Sequence, residues 1–164
     1  MFEKLRIRNF KSIKNLEIDC NKINLFIGEP NTGKSNILEA FGFVFLFYFC
    51  SQFRLGAKSF IRLENTLDLF HNYDVNEKIE ITLDSEMVTL ELNPNGNFYS
   101  YYIENEKRRQ VATVSNSGAI SMNNQSVFDI SKKIKFYNYK FMDSFPQNEV
   151  IPLIPPFGLN LSTI

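Results

Sequence analysis

The stretch that most constrains this chain is Gly28-Glu29-Pro30-Asn31-Thr32-Gly33-Lys34-Ser35, a full match to G-x-x-x-x-G-K-[ST]. The almost continuously apolar run Ile23-Asn24-Leu25-Phe26-Ile27 precedes it. A short apolar run that stops at glycine predicts a buried strand. After Gly33, the segment from Lys34 to Cys50 has no proline, a single glycine (Gly42) and a single acidic residue (Glu39). It predicts a helix of about four turns. A strand, a glycine-bounded loop and a helix in that order make an anion-binding device. Gly28 lets the chain leave the strand in a tight turn, and the backbone N–H groups that follow can converge into a nest. The positive end of the helix dipole adds to it. The Lys34 ammonium then reaches the β and γ phosphates of a nucleotide, and the Ser35 hydroxyl completes the shell of a Mg²⁺ ion. Gly28, Glu29, Pro30, Asn31, Thr32, Gly33, Lys34, Ser35 and Asn36 are the candidate nucleotide-binding residues, with Ser35 the candidate metal ligand. Chance would produce such a match in roughly one chain in a hundred of this length. The alternative is a plain turn before a helix.

Strand signals surround this unit. Leu5, Ile7 and Asn9 alternate with Arg6, Arg8 and Phe10, predicting a first strand that ends near Lys11, and Leu16, Ile18 and Cys20 form a second short run. The stretch 51–76 reads as a helical connector, with Phe60, Leu63, Leu67 and Phe70 at helical spacing. From 77 to 142 strand signals dominate. Lys78 to Asp84, Met87 to Leu92 and Phe98 to Ile103 alternate, Asn93-Pro94-Asn95-Gly96 is a turn, and Val111–Val114 with Ala119–Met122 makes a further hairpin. Ile134 to Phe141 reads as one more strand, and residues 143–164 form a proline-rich tail.

Composition narrows the function classes. Lys plus Arg and Asp plus Glu each number 18, so no global positive field draws the chain to nucleic acid. Two basic clusters, Lys107-Arg108-Arg109 and Lys132-Lys133 with Lys135, read as solvated strand edges, or else as contacts to a phosphate backbone. Two cysteines, Cys20 and Cys50, make no disulfide framework, and no Cys/His cluster with zinc spacing surrounds His71. The start of the sequence lacks a signal-peptide pattern, and a cytoplasmic protein is expected. The chain has 17 phenylalanines, and six of them fall between 41 and 53. With apolar groups on every face, that helix predicts either an ordinary core helix or apolar surface from 41 to 53 that associates with itself or a partner. Its apolar run from Ile37 to Cys50 is shorter than the roughly 18 to 20 residues needed to cross a bilayer.

Three segments carry a resemblance to a known family. Leu5-Arg6-Ile7-Arg8-Asn9-Phe10-Lys11-Ser12-Ile13, Ile23 to Gly28, and Gly33-Lys34-Ser35-Asn36-Ile37-Leu38-Glu39-Ala40 resemble the opening of the ABC-type ATPases of the SMC, RecF and OLD group. These are AAA-family P-loop proteins. The likeness is close over about the first 40 residues, and Ile154 to Leu161 resembles a later segment of OLD-like members. It implies an α/β fold, namely the N-terminal lobe of an ABC-type P-loop ATPase with an antiparallel β-meander subdomain. ATP with Mg²⁺ is the implied cofactor, and Lys11 and Ser12 are placed beside the nucleotide. Gln147 is the candidate for a glutamine touching the metal and the attacking water, a plain loop residue being the alternative. No aliphatic run ending in Asp-Glu and no L-S-G-G-type segment is present, so residues 1–164 read as a single incomplete ATPase domain whose hydrolysis needs a missing C-terminal lobe. A homodimer, and a DNA or effector partner met through segments not in this sequence, are implied as well, with no membrane attachment. Two other readings stay open. The Pro30-Asn31-Thr32-Gly33-Lys34 letters also occur in small GTPases, although neither D-x-x-G nor N-K-x-D follows Ser35, and the loop is otherwise the vestige of an interaction domain.

Overall fold

The computed structural model describes residues 2–53 and 57–123. The expected strand Ile134–Phe141, the second basic cluster, Gln147 and the Ile154–Leu161 segment lie outside them. Seven strands form one sheet: β1 (Lys4–Phe10), β2 (Ile13–Asp19), β3 (Ile79–Leu83), β4 (Glu86–Leu92), β5 (Phe98–Glu104), β6 (Lys107–Val114) and β7 (Ile120–Met122). Their order is β2-β1-β3-β4-β5-β6-β7, and every pairing is antiparallel. The single α-helix among the described residues, α1 (Lys34–Phe53), begins at the lysine of the loop motif.

Alternation in the sequence becomes two faces of the sheet. Leu5 and Ile7 of β1, Ile79, Ile81 and Leu83 of β3, and Val88 and Leu90 of β4 are buried on one face. The other face carries ion pairs, two between neighbouring strands, Arg6 to Glu17 at 2.8 Å and Arg8 to Glu80 at 3.2 Å, and one that crosses over β5, Arg108 of β6 to Glu91 of β4 at 2.5 Å. Arg108 also lies 3.7 Å from the centre of the Tyr101 ring. Within the first basic cluster, then, this arginine is a neutralised part of the solvated face.

The phenylalanine-rich helix supplies the other half of the core. Phe43, Val44, Phe45, Leu46 and Phe47 are all at most 2% exposed. Phe43 stacks edge-on against Phe47 with centroids 5.2 Å apart, and lies 6.1 Å from Phe10 of β1. The apolar surface expected from 41 onward is therefore absent over Phe43–Phe47, because the inner face of the sheet and Phe60 cover it.

Two expectations are corrected. Ile23–Ile27 is not a strand, since it enters no ladder, and Ile23, Leu25 and Ile27 are 84%, 79% and 83% exposed. A parallel α/β layer built on that run is thus not seen among the described residues, which form an antiparallel sheet with one long helix. The physical reason is that a strand buried on both faces needs hydrogen-bonding neighbours, and none of β1 to β7 pairs with this run. From Ala57 onward the helical connector is also not an α-helix. It is three short 3₁₀ turns, Ala57–Ser59, Thr66–Leu69 and His71–Tyr73. Asn65 caps the second turn and Asp68 reciprocates, while Asn72 and Tyr73 take left-handed backbone angles that no α-helix accommodates.

Candidate functional site

The hairpin turn between β1 and β2 and the loop before α1 meet at one point. Lys11 occupies the tip of that turn with φ 52°, and its N–H donates to the Leu69 carbonyl at 2.8 Å. Beside it, Ser12 Oγ accepts a hydrogen bond from Asn36 Nδ2 at 2.7 Å. The contact locks the turn onto the first turn of α1.

In the loop, Asn31 (φ 62°) and Gly33 (φ 86°) take left-handed angles, and Gly28 does not. The sequence reading assigns the turn to Gly28, whereas the structure makes it at Asn31 and Gly33. A Cβ on Gly33 would stand 2.8 Å from Ser12 Oγ, so this glycine is required both by its angle and by the approach of the β1–β2 turn. At Gly28 the same test meets only ordinary contacts, 3.5 Å from Thr32 Oγ1. The Gly33 carbonyl then accepts the N–H groups of Asn36 at 2.9 Å and Ile37 at 3.3 Å, which starts the helix.

Ser12, Asn31, Thr32, Gly33, Lys34, Ser35, Asn36 and Arg62 line a hollow of about 200 Å³. The Lys34 ammonium is folded back on its own loop. It donates to the Glu29 carbonyl at 2.5 Å and to Thr32 Oγ1 at 3.0 Å, and Thr32 Oγ1 donates to the same carbonyl at 2.9 Å. These are neutral acceptors, weaker partners for a cation than phosphate oxygens. The lysine is held over the hollow by bonds an anionic ligand can replace.

A family model described as an AAA ATPase domain matches residues 1–154. The chain belongs to the AAA ATPase domain family. It is also similar to a Helicobacter pylori (strain ATCC 700392 / 26695) protein named ATP/GTP phosphatase, at 28% identity over 174 residues. That alignment covers 95% of this chain and 42% of the relative, so the chain spans less than half the length of the protein it matches.

Beneath the hollow of this AAA domain lies a charge cluster. Glu39, one turn into α1, is 8% exposed at its side chain and accepts from both Lys11 Nζ and Arg62 Nε, the latter at 2.5 Å. Lys11 Nζ also donates to the Arg62 carbonyl at 2.5 Å. Of the two residues that the resemblance places at the nucleotide, Ser12 lines the hollow. Lys11 sits behind it with its ammonium on Glu39, and Gly28, Glu29 and Pro30 stand outside the lining, Glu29 contributing its carbonyl to Lys34. Arg62 is the lining residue that sequence reasoning missed. It lies 28 positions after Lys34, in a stretch whose alternation and spacing carry no signal for it, and only the folding back of residues 57–69 brings it to the loop. Among the described residues, no group of three or more His, Cys, Asp or Glu is arranged to hold a metal ion, and no helix is long and apolar enough to cross a membrane.

Proposed function

We propose that this chain is the nucleotide-binding lobe of an SMC/OLD-like ATPase, taking Mg-ATP through the loop from Gly28 to Asn36. The observation that carries the reading is the G-x-x-x-x-G-K-S loop itself, standing at the start of α1 with Lys34 poised over a hollow lined by Asn31–Asn36. On binding, Lys34 exchanges the Glu29 carbonyl and Thr32 hydroxyl for phosphate oxygens. Those bonds are charge-assisted and the stronger for it. Asn31 and Gly33 keep the loop backbone curled, and the first N–H groups of α1 face the anion with the helix dipole behind them. Ser35 is exposed at the hollow and supplies one hydroxyl ligand to Mg²⁺. A single protein ligand, with phosphates and waters completing the shell, is the ordinary habit of that ion in nucleotide sites. When bound, the ion neutralises charge on the phosphates.

Hydrolysis is assigned to the complete protein. No Asp-Glu pair after an aliphatic run lies in the 164 residues, and that is the motif which, by resemblance, holds the metal opposite Ser35 and polarises water. By resemblance, a second protomer completes the site. Family membership supports ATP over GTP, while the name of the Helicobacter relative couples that protein to both nucleotides.

Calorimetric titration tests the reading. ATP with Mg²⁺ is expected to bind, and Lys34→Ala to weaken it at least about tenfold, the size of one lost charged contact. ATP is expected to bind tighter than GTP, and the reverse preference favours a GTPase-like switch. Absence of nucleotide binding favours a vestigial loop. Lys34-dependent turnover by the 164 residues alone would refute assignment of hydrolysis to the complete protein.

A further inference from the structure

We infer that His71 binds the nucleoside of the nucleotide whose phosphates fill the hollow, its ring Nε2 accepting a hydrogen bond from a donor on the base or the ribose. The inference rests on the nucleotide reading above and adds to it a residue that neither the loop motif nor the resemblance names.

Size is the first observation. The hollow measures about 200 Å³, below the roughly 300–1,000 Å³ of sites that enclose a whole small-molecule ligand. It takes phosphates and leaves the nucleoside on the rim. The β1–β2 turn makes part of that rim through Ser12, and the His71 ring stands against the same turn. Its Nδ1 lies 2.8 Å from the Lys11 carbonyl, the oxygen of the peptide bond that leads into Ser12. A carbonyl only accepts, so Nδ1 carries the proton and the neutral ring presents Nε2 as an acceptor. Nε2 has no partner among the described residues, and the residue is half-buried. Phosphates chelated to Mg²⁺ bring acceptors alone, whereas the exocyclic amine of adenine and the ribose hydroxyls bring the donors that Nε2 lacks.

The backbone around His71 holds the ring in place. Lys11 N–H donates to the Leu69 carbonyl at 2.8 Å, so residues 69–71 engage both polar groups of the Lys11 backbone. His71 N–H donates to Asn9 Oδ1 at 3.2 Å, and the buried Asn9 donates in turn to the carbonyls of Asp74 and Glu77. Directly after His71, Asn72 and Tyr73 take left-handed angles of φ 52° and φ 59°. Such strain persists only where the surroundings over-determine it, and it gathers at ligand sites. The ring is thus fixed in position and in tautomer before any ligand arrives.

A purely structural role, tying residues 69–71 to the β1–β2 turn, uses Nδ1 and has no need of Nε2. His71→Asn separates the two, because the asparagine amide can replace the Nδ1 donor and offers nothing in the place of Nε2. A nucleoside contact predicts that His71→Asn binds ATP about fivefold more weakly than wild type, the size of one neutral hydrogen bond. Inorganic tripolyphosphate, which has no nucleoside, is expected to bind both chains equally. Unchanged ATP affinity, or equal losses for ATP and tripolyphosphate, overturns the inference. The second measurement needs no variant. His71 is the single histidine of the chain, so its ring nitrogens give one unambiguous set of NMR signals. With Mg²⁺ present, ATP is expected to shift Nε2 and tripolyphosphate to leave it in place. An Nε2 signal unmoved by saturating ATP overturns the inference, and should His71→Asn fail to fold, this measurement decides alone. Two analogues then identify the donor, ATP with a dideoxyribose and ATP without the exocyclic amine. One of them is expected to leave Nε2 unmoved, and if both shift it as ATP does, the inference falls. If the wild-type chain binds neither ATP nor tripolyphosphate, the nucleotide reading itself falls, an outcome distinct from a chain that binds ATP with Nε2 untouched.

Discussion

Gly33 shows how much one missing carbon decides at this site. Its backbone angle of φ 86° belongs to the region L side chains avoid, and a Cβ would stand 2.8 Å from Ser12 Oγ. Gly33→Ala is therefore expected to cost about 1–3 kcal/mol in denaturant unfolding and to weaken nucleotide binding, because relief requires the loop or the β1–β2 turn to move. Asp68 acts by charge. Its carboxylate accepts the N–H groups of Glu64 and Asn65, both at 2.8 Å. The Asn65 bond first, and the Glu64 bond second, hold its pKa below the ordinary value of 3.8. A carboxyl depressed on folding stabilises the native state fully above its unfolded pKa, and that contribution is lost as pH falls through the folded one. Asp68→Ala should thus lower stability by about 1 kcal/mol at pH 7, and the gap from wild type should close below about pH 4. Urea melts at pH 7 and pH 3 check this, and an equal gap at both would contradict it. Glycine at the loop was legible in the sequence as a motif letter. That the strained angle belongs to Gly33 and Asn31 rather than Gly28 was not, since it depends on where the β1–β2 turn lies.

At the scale of elements, hydrophobic period and turn letters carried most of the sheet. Strands β1, β3, β4 and β5 alternate cleanly and appear within a residue or two of their expected bounds. The start of β6 at Lys107, rather than near Val111, was missed because the β5–β6 turn is Asn105-Glu106, with left-handed angles at both positions, and lacks the glycine that usually marks such a turn. For α1, the unbroken apolar run from Phe41 to Phe49 left period undecided between strand and helix, and the loop motif before it resolved the choice. Its burial is complete at Phe43, which is 1% exposed and touches Phe10 and Phe47. Phe43→Ala should cost about 3–5 kcal/mol, because the rings around it cannot close the cavity without moving the sheet. A smaller loss in thermal or urea unfolding would mean that the helix and sheet repack freely.

For the whole molecule, the apolar surface lies elsewhere than expected. Ile23, Leu25 and Ile27 stand about four-fifths exposed on the segment leading into the loop, while Phe43, Phe45 and Phe47 of α1 are covered. Each such side chain leaves about 2 kcal/mol of burial unrealised. The 164-residue chain should accordingly bind a hydrophobic dye. Replacing the three together by threonine should remove that binding and leave the melting temperature unchanged within a few degrees, since they support little of the core. A large drop in melting temperature, or unaltered dye binding, would show that the three pack where the fold leaves them bare. The sequence by itself determined the glycine-bounded loop with its Lys34, the start of the helix and most of the strands, because each follows from neighbouring residues through backbone sterics and side-chain period. Tertiary structure alone decided that β1 pairs with β3 in a single antiparallel sheet, that the Ile23–Ile27 run finds no strand partner, and that Arg62 reaches the loop through Glu39. Those outcomes depend on which distant groups meet, and nothing in a local pattern records the partner.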